Sequence, residues 1–278
     1  MKSNATSLAL VSDGTIKMDG GQVFGQVPKV IWENFAPPDR RNRVNLGLNC
    51  LVVKNGDSCV LIDTGVGTKE PEQLKERFGV SRSGLLKNLR NMGISPKEIT
   101  HVVLTHLHDD HSGGSTRLDR SGEAVPTFPS ATYFIQREAW EEAVHPNERA
   151  SQSYQGHDFM PLKERGQICL LDGAAEVAPG IRVKVTGGHC KGHQMVVINH
   201  GGERVAFMGD LVPTHHHLRV GCIPSLDVFP EETLETKREL LDEAERHGWL
   251  MVFSHGLDTR AGYLERRMGD LNFRPVDF

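Results

Sequence analysis

Several things are scarce in this sequence, and each scarcity removes a class of protein. Five cysteines are spread over 278 residues at 50, 59, 169, 190 and 222, with no C-x-x-C pair. Neither a disulfide framework nor an all-cysteine zinc site is suggested, and idle thiols in a reducing, cytoplasmic setting are the expectation. No window approaches the ~20 apolar residues of a membrane helix. The opening stretch, MKSNATSLALVSDG, has too short an apolar run for a secretory signal core. Basic residues are not in excess: 32 Lys and Arg face 36 Asp and Glu, a net charge of −4. A nucleic-acid partner is therefore not expected, since such proteins are usually basic. Repeats, low-complexity tracts and linkers are missing too, so one domain over 1–278 is expected.

Against this ordinary soluble background the count of 14 histidines stands out, with six in the windows 106–111 and 215–217. Short β-rich runs surround them. Asn49–Lys54 and Ser58–Ile62 flank Asn55-Gly56, a hairpin signal. Further strands are expected at His101–Thr105, Thr132–Gln136, Ile181–Thr186, Met195–Asn199, Arg204–Met208 and Leu250–Ser254, with a second hairpin around Asn199–Gly202. Helices are expected at Ser83–Met92, Arg137–Val144 and Glu231–His247, the last stopping at Gly248. Ser95-Pro96-x-Glu98 reads as a helix start with a capping box. Strands interleaved with helices imply α/β layers.

The segment Thr105-His106-Leu107-His108-Asp109-Asp110-His111-Ser112-Gly113-Gly114 follows the apolar run Val102-Val103-Leu104. In extended backbone His106 and His108 project to one side, and the glycines beyond permit close backbone approach. Three imidazoles and a carboxylate within six residues suit zinc, manganese or iron. A solvated polar loop is the plain alternative, and the density of ligand types argues against it. Later strands repeat the pattern: His189, Asp210 and His255 each follow an apolar run. Asp63-Thr64-Gly65 also ends a strand, where a carboxylate bonding nearby backbone is expected.

In these residues the sequence resembles the metallo-β-lactamase superfamily, whose motif is His-x-His-x-Asp-His followed by distant His, Asp and His. The resemblance implies an αββα sandwich of two mixed β-sheets flanked by helices, with a binuclear metal site, most often zinc, on one edge. By motif position His106, His108 and His189 would hold one ion. Asp110, His111 and His255 would hold the other, and Asp210 would bridge them. A closer resemblance is to the quorum-quenching lactonase branch called YtnP-like, carried by Lys17–Gly21, Phe24-Gly25-x-Val27-Pro28-Lys29 with Trp32, Thr186–His193 and Asp210–His215. It implies hydrolysis of a small lactone or ester, with a metal-bridging hydroxide as nucleophile and Asp110 passing a proton to the leaving alkoxide. An organophosphate hydrolase is the runner-up, and a non-catalytic metal-binding scaffold a third reading.

Two positions depart from related lactonases. Asp109 stands where an aromatic residue is usual, and Pro213 where smaller members place a tyrosine. His215 is a candidate polar contact to substrate. Residues 1–45 are a candidate flap or homodimer contact; within them the apolar stretch Phe24–Phe35 reads either as a strand and loop packed on the core or as apolar surface, with Phe24 and Trp32, offered to a substrate. His193 is expected to support its loop.

Overall fold

The computed structural model describes residues 6–69, 71–80, 84–267 and 270–278. The first half of the chain forms strands β1 (Ser7–Asp19), β2 (Arg43–Asn55), β3 (Ser58–Ile62), β4 (His101–Val103), β5 (Thr116–Leu118), β6 (Ala124–Pro126), β7 (Thr132–Gln136) and β8 (Ile168–Leu171). The second half forms β9 (Ala175–Ala178), β10 (Ile181–Val185), β11 (Gln194–His200), β12 (Glu203–Phe207), β13 (Leu250–Val252), β14 (Ala261–Arg267) and β15 (Asp270–Val276). Helices are α1 (Gly20–Phe24), α2 (Lys29–Trp32), α3 (Pro71–Phe78), α4 (Leu85–Asn91), α5 (Asp109–Ser112), α6 (Arg137–Val144), α7 (Gly156–Glu164) and α8 (Pro230–His247).

Two mixed sheets result, ordered β1-β2-β3-β4-β7-β8 and β15-β14-β13-β12-β11-β10-β9. Alternation along the strands decides what each face meets. Leu51 and Val53 of β2 point inward with Val60, Ile62 and Val103, against Val183, Val196, Ile198, Val205 and Phe207 of the other sheet. Cys50 and Val52 point outward, into a layer with Leu85, Leu89, Trp140, Phe159 and Leu162 from α4, α6 and α7. On the far side Met195, Ala206 and Met251 pack against Leu240, Leu241 and Ala244 of α8. These four layers form an αββα sandwich of the α/β class. Among the described residues, no helix is long and apolar enough to cross a membrane.

Residues 6–45 are woven into this frame. Strand β1 pairs antiparallel with β2 from Ser7↔Lys54 to Asp19↔Arg43, with a bulge between Ser12 and Gly14. Asp19 then caps α1, its carboxylate accepting from the Gly21 and Gln22 N–H groups at 2.8 and 3.2 Å. Trp32 is 1% exposed, its ring stacked on Phe24 with centroids 5.4 Å apart. A Cβ on Gly20 would lie 2.3 Å from that indole, so only glycine admits it. Trp32 is thus core, as the packed reading of Phe24–Phe35 has it, and not apolar surface offered to a substrate.

Local expectations met the structure unevenly. The helix at Arg137–Val144 and the strand at Thr132–Gln136 match their expected bounds. The hairpin turn sits at Gly56-Asp57, one residue later than expected, because Asn55 pairs with Ser58. Helix α4 is shorter than Ser83–Met92, and Ser83 lies outside the described residues. Ser95–Glu98 closes only a turn. Glu98 does accept the Ser95 N–H at 2.7 Å, but buried Ile99 and strand β4 follow at once, leaving no room for a helix.

Helix α8 buries Lys237, whose Nζ donates to the Cys222 carbonyl at 2.6 Å. Burial pushes its pKa from 10.5 down to about 8. Between those values the unfolded chain keeps a proton that the folded chain has released, so this group's contribution to stability rises with pH there. Lys237→Met is expected to flatten that part of the profile in urea titrations run from pH 7.5 to 10.5; an unchanged slope would assign the pH dependence elsewhere.

Candidate metal centre

Strands β10, β12 and β13 run in the same direction, so their exits gather at one edge. In the facing sheet β3 and β4 are parallel and deliver Asp63 and residues 105–111 to the same seam. Gly113 and Gly114 let this loop press on residues 64–66; a Cβ on Gly114 would lie 2.2 Å from the Thr64 carbonyl oxygen. There the structure brings together His106, His108, Asp110, His111, His189, Asp210 and His255. Their donor atoms form three overlapping groups, each within 4.8 Å: His106, His108 and His189; His106, His111 and Asp210; Asp110, His111 and His255.

Asp210 occupies the middle. Its Oδ1 is 3.2 Å from Nε2 of both His111 and His255, and its Oδ2 is 3.5 Å from Nε2 of His189. Asp110 is 3.8 Å from His111 and 3.5 Å from His255, with its side chain 14% exposed toward the cavity. Of the ligand-type side chains, it is the one a substrate reaches most openly.

The tautomers follow from the partners behind each ring. His255 Nδ1 must donate to the Gly47 carbonyl at 2.9 Å. His111 Nδ1 donates to Asp63 and His189 Nδ1 to Asp227, each at 2.8 Å. Thr105 gives its hydroxyl proton to Asp63 and accepts from His106 Nδ1 at 3.0 Å. The Nε2 atoms of His106, His111, His189 and His255 then point inward, placed to bind a cation or to carry a proton. His111 and His255 face each other with Nε2 atoms 3.2 Å apart, and His189 Nε2 is 3.1 Å from His108 Nδ1. His106 Nε2 is buried without any partner. Opposed lone pairs repel unless a proton or a cation lies between them. The donor set, five imidazoles and two carboxylates, therefore fits divalent ions.

Electrostatics say the same. Burial and the neighbouring imidazoles push His106 and His108 well below the usual histidine range. Burial opposes charge on His111 as well, but Asp210, Asp110 and Asp63 outweigh it and raise its pKa well above that range. Burial likewise pushes Asp210 up, and His111 and His255 more than reverse it. The carboxylates at the centre thus draw positive charge into a largely buried site.

Supporting residues hold this geometry. The Asp210 N–H donates to His193 Nε2 at 2.9 Å, while His193 Nδ1 meets Thr186 Oγ1. Gly209 sits at φ +54, and a Cβ there would lie 2.6 Å from His193 Nε2. Ser254 donates to Asp210 Oδ1 at 3.0 Å. Asp63 accepts the Thr105 N–H at 2.8 Å, as the turn pattern led us to expect, and also anchors His111. Asp227 was not singled out from sequence. It is buried and bonded by Thr233 at 2.6 Å; a strand-exit search passes over it because it lies in a loop before α8.

Above the cluster is a cavity of about 80 Å³. Met18, Val23, Leu46, Phe78 and Leu226 give it apolar walls, and Gln22, Asp109, Ser153 and Thr214 add polar groups. The N-terminal segment thus reaches the site through Met18, Gln22 and Val23, whereas Phe24 and His215 line a neighbouring cavity and Trp32 lines neither.

The family model for the metallo-beta-lactamase superfamily matches residues 45–255. The chain belongs to that superfamily. As a member it is a metal-dependent hydrolase. It is 26% identical over 187 residues to the N-acyl homoserine lactonase AttM of Agrobacterium fabrum, covering 65% of this chain and 66% of the relative. The match thus spans just under two thirds of that protein's length. A probable metal-dependent hydrolase from Staphylococcus aureus superimposes with a TM-score of 0.90 at 28% identity, covering 100% of this chain and 99% of the other. AidC, a dizinc quorum-quenching lactonase solved with the product N-hexanoyl-L-homoserine, shares the fold with a TM-score of 0.79 at 20% identity, covering 100% and 97%.

Proposed function

We propose that this hydrolase is binuclear, that zinc is its resident ion, and that it opens a small lactone of the N-acyl homoserine lactone kind. The observation that carries the reading is the ring of inward-facing imidazole nitrogens around Asp210. His106, His108 and His189 would hold one ion, Asp110, His111 and His255 the other, with Asp210 shared. Bound there, two such ions supply Lewis acidity that polarises an ester carbonyl and lowers the pKa of water.

The chain's own groups do the rest. The apolar walls formed by Met18, Val23, Leu46 and Leu226 exclude bulk water from the ester. A water oxygen adds to the lactone carbonyl carbon, and its proton passes to an Asp110 carboxylate oxygen. Asp110 returns that proton to the ring oxygen as the acyl C–O bond breaks, giving a hydroxy acid. The names of the relatives support the lactone, and Pro213, Gln22 and Thr214 line the wall it would meet.

The direct test is a panel: hexanoyl-homoserine lactone, paraoxon and nitrocefin, assayed on zinc-loaded protein with metal content measured. We expect two equivalents of metal and a kcat/KM for the lactone about 100-fold above the others. Preference for paraoxon would move the assignment to phosphotriesters, and turnover of none would remove the lactone. Asp227→Asn should weaken metal binding by about 10- to 100-fold in chelator competition, because His189 loses the carboxylate that orients it.

A further inference from the structure

Helix α6 turns Ala139, Trp140 and Ala143 into the core and, beside them, one carboxylate: Glu142, only 8% exposed. An acid on such a face is costly unless it is bonded. Its bonds lead toward the metal cluster. Glu142 Oε2 accepts the Tyr154 hydroxyl at 3.1 Å and the Lys191 N–H at 2.9 Å.

Each partner stands beside a ligand-type histidine. Tyr154 is buried, and its ring lies against that of His108 with centroids 5.0 Å apart. Lys191 is two residues beyond His189, in a loop that rests on α6. Gly192 of that loop has φ +62, and a Cβ there would lie 2.6 Å from the Ala139 nitrogen. The same Glu142 oxygen is therefore braced against both rings, which meet at 3.1 Å between His189 Nε2 and His108 Nδ1.

His108 depends on this brace more than its neighbours do. His106, His111, His189 and His255 each have a hydrogen-bond partner behind the ring, in Thr105, Asp63, Asp227 and the Gly47 carbonyl. Among the described residues no hydrogen bond holds the His108 ring from behind, and the contact with Tyr154 takes that place.

We propose that Glu142 is a positioning residue, which through Tyr154 and the Lys191 N–H sets His108 and His189 about one ion and leaves the ligands of the other untouched. Position rather than charge is what it supplies, since both of its bonds go to neutral donors.

Titrating the metal-stripped full chain with cobalt, followed by visible absorption, tests this role. The parent should take up two ions. Glu142→Ala should bind one as the parent does and the other about 10- to 100-fold more weakly, with that ion's absorption bands changed. Glu142→Gln keeps a carbonyl oxygen that can accept both bonds, so it should bind both ions within about twofold of the parent. If Glu142→Ala does not fold, Tyr154→Phe reads the same split through the loss of one bond, at about fivefold. Equal weakening of both ions, unchanged affinities in the folded variants, or Glu142→Gln as weak as Glu142→Ala overturns the proposal.

This role rests on the assignment of His106, His108 and His189 to one ion, and the parent's titration separates the two failures. A parent that takes up one ion overturns the binuclear reading, while weaker binding in Glu142→Ala then still upholds the positioning role. A parent that takes up none overturns both.

Discussion

Asp110→Asn is expected to lower kcat by about 10³-fold, in the range removed with a general acid–base group. The physical reason is location. Asp110 is 14% exposed toward the cavity, while Asp210 is locked by His111, His255, Ser254 and its own N–H. An amide keeps the shape and an oxygen donor but accepts no proton. The variant should therefore keep its fold, retain most of its metal, and lose the solvent isotope effect that accompanies proton transfer. Turnover within a few-fold of the parent would remove Asp110 from the reaction. Wholesale metal loss would show instead that its charge is needed to hold the ion.

Stripping the metal with a strong chelator should abolish hydrolysis, and added zinc should restore it. The same treatment is expected to lower the unfolding temperature by roughly 10 °C, since an ion at 1,000 times its Kd contributes about 4 kcal/mol. Circular dichroism should change little. His111, His189 and His255 keep their bonds to Asp63, Asp227 and Gly47 when the centre is vacated, so the rings stay aimed. Calorimetric unfolding before and after chelation measures the shift. An unchanged midpoint with full activity would exclude a metal at this cluster.

What was legible in the sequence was what local pattern carries. An apolar run delivering a ligand to its exit marks His106, His189, Asp210 and His255 separately, because a buried strand and its polar terminus are neighbours in the chain. Asp227 carries no such marker: it meets His189 only because the loop before α8 folds back over it. Strand β1 escaped notice because half-buried positions, Gly14 and a bulge break its alternation. The Ser95 capping box was a true local bond in the wrong context, since tertiary packing of Ile99 decided the outcome. Trp32 could be read from sequence as core or as substrate surface, because nothing in its own segment announces Gly20, the residue that makes room for it.

The seam between the sheets has one more consequence. Residues 106 to 111 come from one sheet, and 189, 210 and 255 from the other. An ion gripped by both would act as a removable cross-link across the sandwich, closing a loop from 108 to 189 or from 111 to 255 much as a disulfide would. A chain with no disulfide pattern in its sequence would then have a staple that follows metal supply rather than redox state.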